Sequence, residues 1–319
     1  MPSVTLIIPV YKVEKYIGRC LQSVVEQTFP HIQCVVVNDC TPDNSYHIAK
    51  NFVDNYNKHH DNPHVAFLLT EHTQNKGLSE ARNTGVRMAM GDYVYFLDSD
   101  DTLPPTAIAD LMEVATQGGM PDVVYGDTMT IDSEEHREVY GNKETCRSMT
   151  TNKEILLGNL RGEWPRIACN KLVRRTLFTE QGFWFFSGIL HEDELWTFEI
   201  STAITSMLYC PKTTYLYDIG DTNSITRSGA SERHFRDNIT VLERKMEYLP
   251  KVSCPEEVAQ FVYQLSHQFY LSIVVNRCSR KFRKECRRRL GRLIGKALDA
   301  TAGNVSTSRL SKIVWRLFR

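Results

Sequence analysis

Tyr93-Val94-Tyr95-Phe96-Leu97-Asp98-Ser99-Asp100-Asp101 is the stretch around which the rest of the chain organises itself. Five β-branched, aromatic or aliphatic residues suit a buried strand, and they run straight into three carboxylates interrupted by one serine. Open α/β sheets place their ligands at the carboxyl ends of strands. On an extended segment, acids two apart point to the same side. Asp98 and Asp100 would then converge on one hard cation or one polyhydroxylated ligand, with Asp101 turned elsewhere. The plain alternative is an acidic turn ahead of a helix that starts after Pro104-Pro105.

The flanking sequence repeats the pattern. Val4–Val10, Gln33–Asn38 and Val65–Leu69 read as buried strands, and the second also ends in an acid, Asp39. Val13–Gln27 carries Ile17, Leu21, Val24 and Val25 at helical spacing, and Tyr46–Tyr56 follows Ser45, an expected N-cap. A third helix begins within Asn75–Asn83 and closes at Gly91. Strand and helix alternating through about 100 residues predict a mostly parallel α/β sheet. The first strand is not followed by Gly-x-Gly-x-x-Gly, so no glycine cradle is expected for a pyrophosphate. Carboxylates holding a divalent metal are the other way to neutralise one. Further on, a helix over Thr106–Thr116, a strand over Asp122–Asp127, a short helix over Asn152–Leu157 and strands at Ser206–Leu208 and Thr213–Tyr217 are expected. After Ser231 only helical periodicity remains, over His234–Tyr248, Pro255–Val275 and Arg280–Ala300. The change divides the chain into residues 1–230, an α/β domain, and 231–319, a helical region.

The chain carries 38 basic and 38 acidic residues, but the signs are segregated. From Arg277 to Arg319 there are fourteen Lys and Arg against two acids, so the remainder is acidic. Leu290, Leu293, Ile294, Ala297 and Leu298 fall on one helical face, and Leu310, Ile313, Val314, Leu317 and Phe318 repeat the spacing. Basic amphipathic helices of this kind lie on anionic membrane surfaces; the alternative packs the apolar face on the protein and leaves the basic face in water. No nucleic-acid motif accompanies the charge. Nine cysteines without CxxC spacing point to reduced thiols, and no apolar run reaches membrane-spanning length. The expected location is cytoplasmic, peripheral on the inner face of the cell membrane.

Five motifs in order resemble a family-2 glycosyltransferase of the GT-A fold. They are Ile7-Ile8-Pro9-Val10-Tyr11, Val36-Val37-Asn38-Asp39-Cys40-Thr41, Asn75-Lys76-Gly77-Leu78-Ser79 with Ala81-Arg82-Asn83, the acidic stretch above, and His191-Glu192-Asp193 with Phe198. One departure is visible: the family's Asp-Gly-Ser reads Asp39-Cys40-Thr41 here. The resemblance implies a nucleobase pocket of Pro9, Tyr11 and Asp39, with Asp39 accepting a uracil imide N–H. It places Asn75, Lys76, Gly77 and Arg82 near phosphate or ribose, Asp98 and Ser99 on the nucleotide, and Arg227 as a phosphate clamp. Asp100 and Asp98 would hold Mn2+ or Mg2+, with His191 completing the shell. Asp193 would be the general base of an inverting transfer, with Glu192 its rival. The implied reaction moves a sugar from a UDP-sugar donor to a glycan or lipid-linked acceptor in surface polysaccharide synthesis. A nucleotide-sugar-binding or membrane scaffold without catalysis is the alternative, against which both acidic clusters speak. Trp164, Trp184 and Trp196 stand near the motifs, as core or as stacking surfaces for a sugar.

Overall fold

The computed structural model describes residues 3–59, 64–131, 137–140, 146–219, 231–275 and 278–301. Four β/α units open the chain: β1 Val4–Val10, α1 Ile17–Val25, β2 Ile32–Asn38, α2 Ser45–His59, β3 Val65–Glu71, α3 Leu78–Met88, β4 Tyr93–Phe96 and α4 Ala107–Gln117. Then come β5 Val123–Ile131, β6 Arg137–Tyr140, α5 Asn152–Arg161, β7 Lys171–Arg174, α6 Thr176–Thr179, α7 Glu192–Ser201 and β8 Met207–Asp218. α8 Glu232–Glu247, α9 Pro255–Val275 and α10 Arg280–Ala300 complete it.

The strands form one sheet in the order β3-β2-β1-β4-β7-β5-β6, with β8 also paired to β5. β1 to β4 are parallel to one another, and β7 and β6 run against their neighbours. The mostly parallel α/β sheet read from the sequence is therefore present. β1 and β4 are buried along their whole length, as expected of strands covered on both faces. Because β4 lies beside β1, their carboxyl ends put Asp98–Asp101 next to the Pro9–Lys12 loop. α3 lies close over this pair: a Cβ at Gly85 would stand 2.3 Å from Ile7 Cγ2.

Several local expectations change. Ser45 does not cap α2 but begins it. Its hydroxyl donates to Asp43 Oδ1 (2.6 Å) and accepts the Val13 N–H (2.8 Å), tying two loops together. The two short strands after residue 205 are one strand, β8, whose register on β5 shifts beside Gly126 and Asp127. A polar bulge there masked its continuity in the sequence. All nine cysteines are free.

The helical region has its own apolar cluster, in which Leu290, Leu293, Ile294 and Ala297 of α10 pack with Phe235, Ile239 and Val262. The apolar face read as a membrane seat is thus occupied by neighbouring helices. A second cluster joins Leu156, Leu160 and Phe198 to Cys254 and Val258, so the helical region is packed on the sheet's own helices. The repeat of that spacing at Leu310–Phe318 lies outside the described residues. Among the described residues no helix is long and apolar enough to cross a membrane.

Candidate active site

A cleft of about 1870 Å³ opens at the carboxyl ends of β1, β2 and β4. Pro9, Tyr11, Asp39, Asn75, Lys76, Gly77, Arg82, Asp98, Ser99, Asp100, His191, Glu192 and Asp193 all line it, so residues up to 184 positions apart in sequence share one wall system. Arg227 lies outside the described residues.

The donor-side loops are built on Asp39. Its carboxylate accepts the N–H groups of Lys76 (2.8 Å) and Gly77 (2.7 Å) and faces His72 Nδ1 at 2.7 Å, while its carbonyl takes the Asn75 amide (3.3 Å). Asp39 is 3% exposed. Four acceptor positions on a carboxylate leave capacity for one more donor, but its main work here is to hold the Asn75–Gly77 loop. Tyr11 is 41% exposed at the rim with Lys12 Nζ 5.3 Å from its ring centroid, and Lys76, also exposed, lines the same cleft.

Arg82 departs from its expected place. It is 3% exposed and spans the two acidic clusters, with Nη2 on Asp98 Oδ1 (2.9 Å) and Nη1 on Glu192 Oε1 (2.8 Å). Its guanidinium lies over the Phe185 ring, and its neighbouring carboxylates hold its pKa above the ordinary arginine value against the opposing effect of burial. It is a bridge between two walls, not a solvated cation waiting for phosphate. The rest of its motif serves the same junction. Asn83 makes paired 2.9 Å bonds to the Phe185 backbone, Ser79 donates to the Phe186 carbonyl (2.9 Å), and Ser187 donates to Glu80. Ser79, Arg82 and Asn83 fall at i, i+3 and i+4 on one helix face, a polar stripe whose burial the spacing itself signals.

The acidic stretch leaves the strand at Phe96 and turns, with the Asp101 N–H bonded to the Asp98 carbonyl (3.1 Å). The alternation of an extended segment therefore does not apply to Asp98 and Asp100. Asp101 is buried; it accepts from the Tyr215 hydroxyl (2.6 Å) and the Asp218 N–H (2.8 Å). Burial, then the nearby charges of Asp100 and Asp98, push its carboxyl up to about 8. Arg19 on α1 donates to the Asp100 carbonyl (2.6 Å) and pairs with Asp218, so the turn is clamped from α1 and from β8. Asp98 and Asp100 keep partial exposure on the cleft.

Among the described residues no three His, Cys, Asp or Glu side chains gather as a metal cage. His191 therefore does not join Asp98 and Asp100. Its backbone is left-handed (φ 63°) at the entrance to α7, and its ring lies 5.8 Å from that of His234. What remains fits a hard cation bound as Mg2+ and Mn2+ commonly are beside phosphates, through one or two carboxylates with substrate and water oxygens.

Glu192, Asp193 and Glu194 occupy the first turn of α7, where a helix favours negative charge. Their partners differ. Glu192 is bonded to Arg82, and Glu194 to Lys245 Nζ at 2.8 Å, with Arg166 at 3.7 Å from the same oxygen. For Asp193 the bond shown is from the Glu194 N–H (2.8 Å). Burial, then the adjacent Glu192, push Asp193 up to about 6. Below the helix Phe96, Phe178, Phe185 and Trp196 pack together, Phe185 and Trp196 stacked at 4.7 Å. That cluster fixes α7 against β4. Trp196 and Trp164 are core, as their burial shows, although Trp164 also backs the cleft.

Nothing in the local sequence marks Lys171 as part of the site. It is fully buried, donates to the carbonyls of Ile167 (2.6 Å) and Cys169 (3.3 Å), and burial pulls its ammonium down to about 7. It braces the 167–169 segment, which lines the cleft. Backbone strain gathers here too: of the five non-glycine residues with positive φ among the described residues, Lys12, Cys40, Asn170 and His191 line the cleft or adjoin a residue that does.

The family model described as glycosyl transferase family 2 matches residues 5–182. The uncharacterized glycosyltransferase YibD of Escherichia coli is 28% identical over 77% of this chain and 70% of its own length. Glycosyltransferase GlyA of Streptococcus pneumoniae is 27% identical over 82% of this chain, which spans only 36% of it. Among solved structures, S. aureus TarS 1–349 in complex with UDP-GlcNAc superposes with a TM-score of 0.74 at 18% identity, covering 95% of this chain and 84% of that one. A mannosyltransferase from Pyrobaculum calidifontis, in complex with GDP-Man and Mn2+, reaches 0.52 at 15% identity over 99% of this chain and 79% of that one.

Proposed function

The chain belongs to glycosyl transferase family 2, and from that premise we propose an inverting, metal-assisted transfer of a sugar from a UDP-sugar to a glycan or lipid-linked acceptor in surface polysaccharide synthesis. The observation that carries the reading is the sorting of charges in the cleft: buried cations are committed to Glu192 and Glu194, and the carboxylate between them is raised toward neutrality. A general base poised near the working pH has that character. Asp193 accepts the acceptor hydroxyl's proton as its oxygen bonds to the anomeric carbon, while the bond from that carbon to the donor phosphate breaks on the opposite face. The bond from Arg82 occupies one oxygen of Glu192, which supports Asp193 over it as the base.

Tyr11 and Pro9 form the nucleobase side, and Asp39 holds the loop that presents Lys76 to the donor. Asp100, with Asp98 as second donor, would hold Mn2+ or Mg2+, whose charge offsets that of the departing diphosphate. UDP-GlcNAc, UDP and GDP-Man in the related structures support a nucleotide-sugar donor. A teichoic acid biosynthesis protein and a chondroitin synthase among the relatives support a surface glycan as product. Membrane contact, if anionic lipid is the partner, is electrostatic: Lys284, Arg287, Arg288, Arg292 and Lys296 of α10 are exposed while its apolar face is packed.

The test is UDP release and glycan transfer with a panel of UDP-sugars and Mn2+, comparing the parent protein with Asp193→Asn. Transfer abolished in the variant with an unchanged circular dichroism spectrum supports the reading. Near-parental transfer, or parental transfer in EDTA, removes the base or the metal respectively.

A further inference from the structure

We propose that Lys245, on the first helix of the C-terminal region, is a positioning residue for the transfer reaction, acting on Asp193 through Glu194. The inference rests on Asp193 being the base. Lys245 has no exposed surface. Its Nζ reaches Glu194 Oε1 at 2.8 Å and lies over the rings of Phe198 (5.2 Å) and Phe261 (5.0 Å). An ammonium in such surroundings tolerates only well-formed pairing, so Glu194 is held in one place. The Glu194 N–H in turn bonds Asp193 Oδ1 at 2.8 Å, which sets the direction of the base.

The rest of α8 grips the same segment. Asp237 Oδ2 accepts the Leu190 N–H (3.1 Å), Arg244 lies over the Phe186 ring (4.9 Å), and His234 flanks His191. The first two turns of the helix also reach the cleft through Arg233, His234, Phe235 and Asn238. Arg82 holds the base turn from the sheet side, and Lys245 holds it from the helical side. The helical region therefore completes the catalytic wall, beyond residues 5–182 matched by the family model.

The experiment measures kcat and KM for UDP release from UDP-GlcNAc, or from whichever member of a UDP- and GDP-sugar panel turns over fastest. It compares the full-length parent protein, Lys245→Met, Lys245→Met/Glu194→Gln and Asp193→Asn, with thermal unfolding of each. A misaimed reacting group costs up to about 100-fold, so kcat in the double variant is expected to fall about 10- to 100-fold with donor KM unchanged. Its Tm is expected to recover toward the parental value, since no buried charge is left alone. The double variant carries the test if Lys245→Met alone does not fold. Parental kcat in the double variant, or a rise in KM with kcat unchanged, overturns the positioning role. Turnover in Asp193→Asn would overturn the base itself, a separate and recognisable failure.

Discussion

The cleft holds two acidic triplets that look alike in sequence and behave differently in the fold. Asp98, Asp100 and Asp101 sit on a turn at the end of β4; Glu192, Asp193 and Glu194 sit in the first turn of α7. On the turn, the outermost acid is consumed by structure: Asp101 is buried against Tyr215 and the Asp218 N–H, and two partly exposed carboxylates face the cleft. On the helix the two outer acids are consumed, by Arg82 and Lys245, and the middle one is raised to about 6. Arg82 belongs to both triplets, through Asp98 and Glu192. The difference teaches that the number of acids in a motif says little. Where the buried cations are spent decides which carboxylate stays charged as an oxygen donor and which is left to move a proton.

The sharpest way to break this comparison is Asp193→Asn. Loss of a general base costs about 10²–10⁴-fold, so transfer should fall by that range while donor binding, measured as Kd for UDP by calorimetry, stays within about twofold. Stability should move the other way. A carboxyl whose folded pKa lies above its unfolded value stabilises the fold while protonated and loses that contribution as pH rises through about 6. At pH 7.5 the asparagine variant should therefore unfold at the parental Tm or higher. An equal loss from Glu192→Gln at unchanged Tm would erase the distinction between the two acids.

Arg82→Met attacks the shared cation. Removing one partner of a buried ion pair typically costs about 3–5 kcal/mol, and here two carboxylates lose their cation together. Urea unfolding should show a loss of that order, partly recovered in Arg82→Met/Glu192→Gln. If Arg82→Met unfolds like the parent, Arg82 is not the bridge and its expected place on the donor phosphate returns.

These two residues also mark the limit of what the sequence discloses. The sheet was legible because buried strands between amphipathic helices leave a pattern of local periodicity, and β1, β2, β3 and β4 fall within two residues of their expected bounds. The cleft's membership was legible because strand ends and motifs are local too. Pairings were not. Nothing near Arg82 announces Glu192, 110 residues away, and Lys245 reads as one more helical lysine until its burial is seen. The same distance effect hides the partners of the apolar stripe on α10, which are neighbouring helices.

A pH profile sharpens the contrast between the triplets without any mutation. With its carboxyl raised by burial and by Glu192, Asp193 must lose its proton to act, so kcat/KM should fall about tenfold per pH unit below about 6. An acid limb below pH 4.5 would mean that an unperturbed carboxylate is the base.

The smallest effect belongs to the donor side. Cys40 stands where the family carries glycine, and its φ of 54° is the left-handed conformation that glycine adopts without strain. A side chain there costs about 1–2 kcal/mol, against about 0.5–1 kcal/mol of extra unfolded-state entropy for glycine. Cys40→Gly should therefore stabilise the protein by about 0.5–1 kcal/mol in urea unfolding. The neighbouring Thr41 keeps the hydroxyl the loop needs, donating to Asp43 (2.6 Å) and accepting the Lys12 N–H (2.8 Å), so UDP affinity should hardly change. A gain in UDP affinity without a gain in stability would place the strain in the nucleotide pocket itself, and would make the Asp39-Cys40-Thr41 loop a second point where this cleft trades rigidity for function.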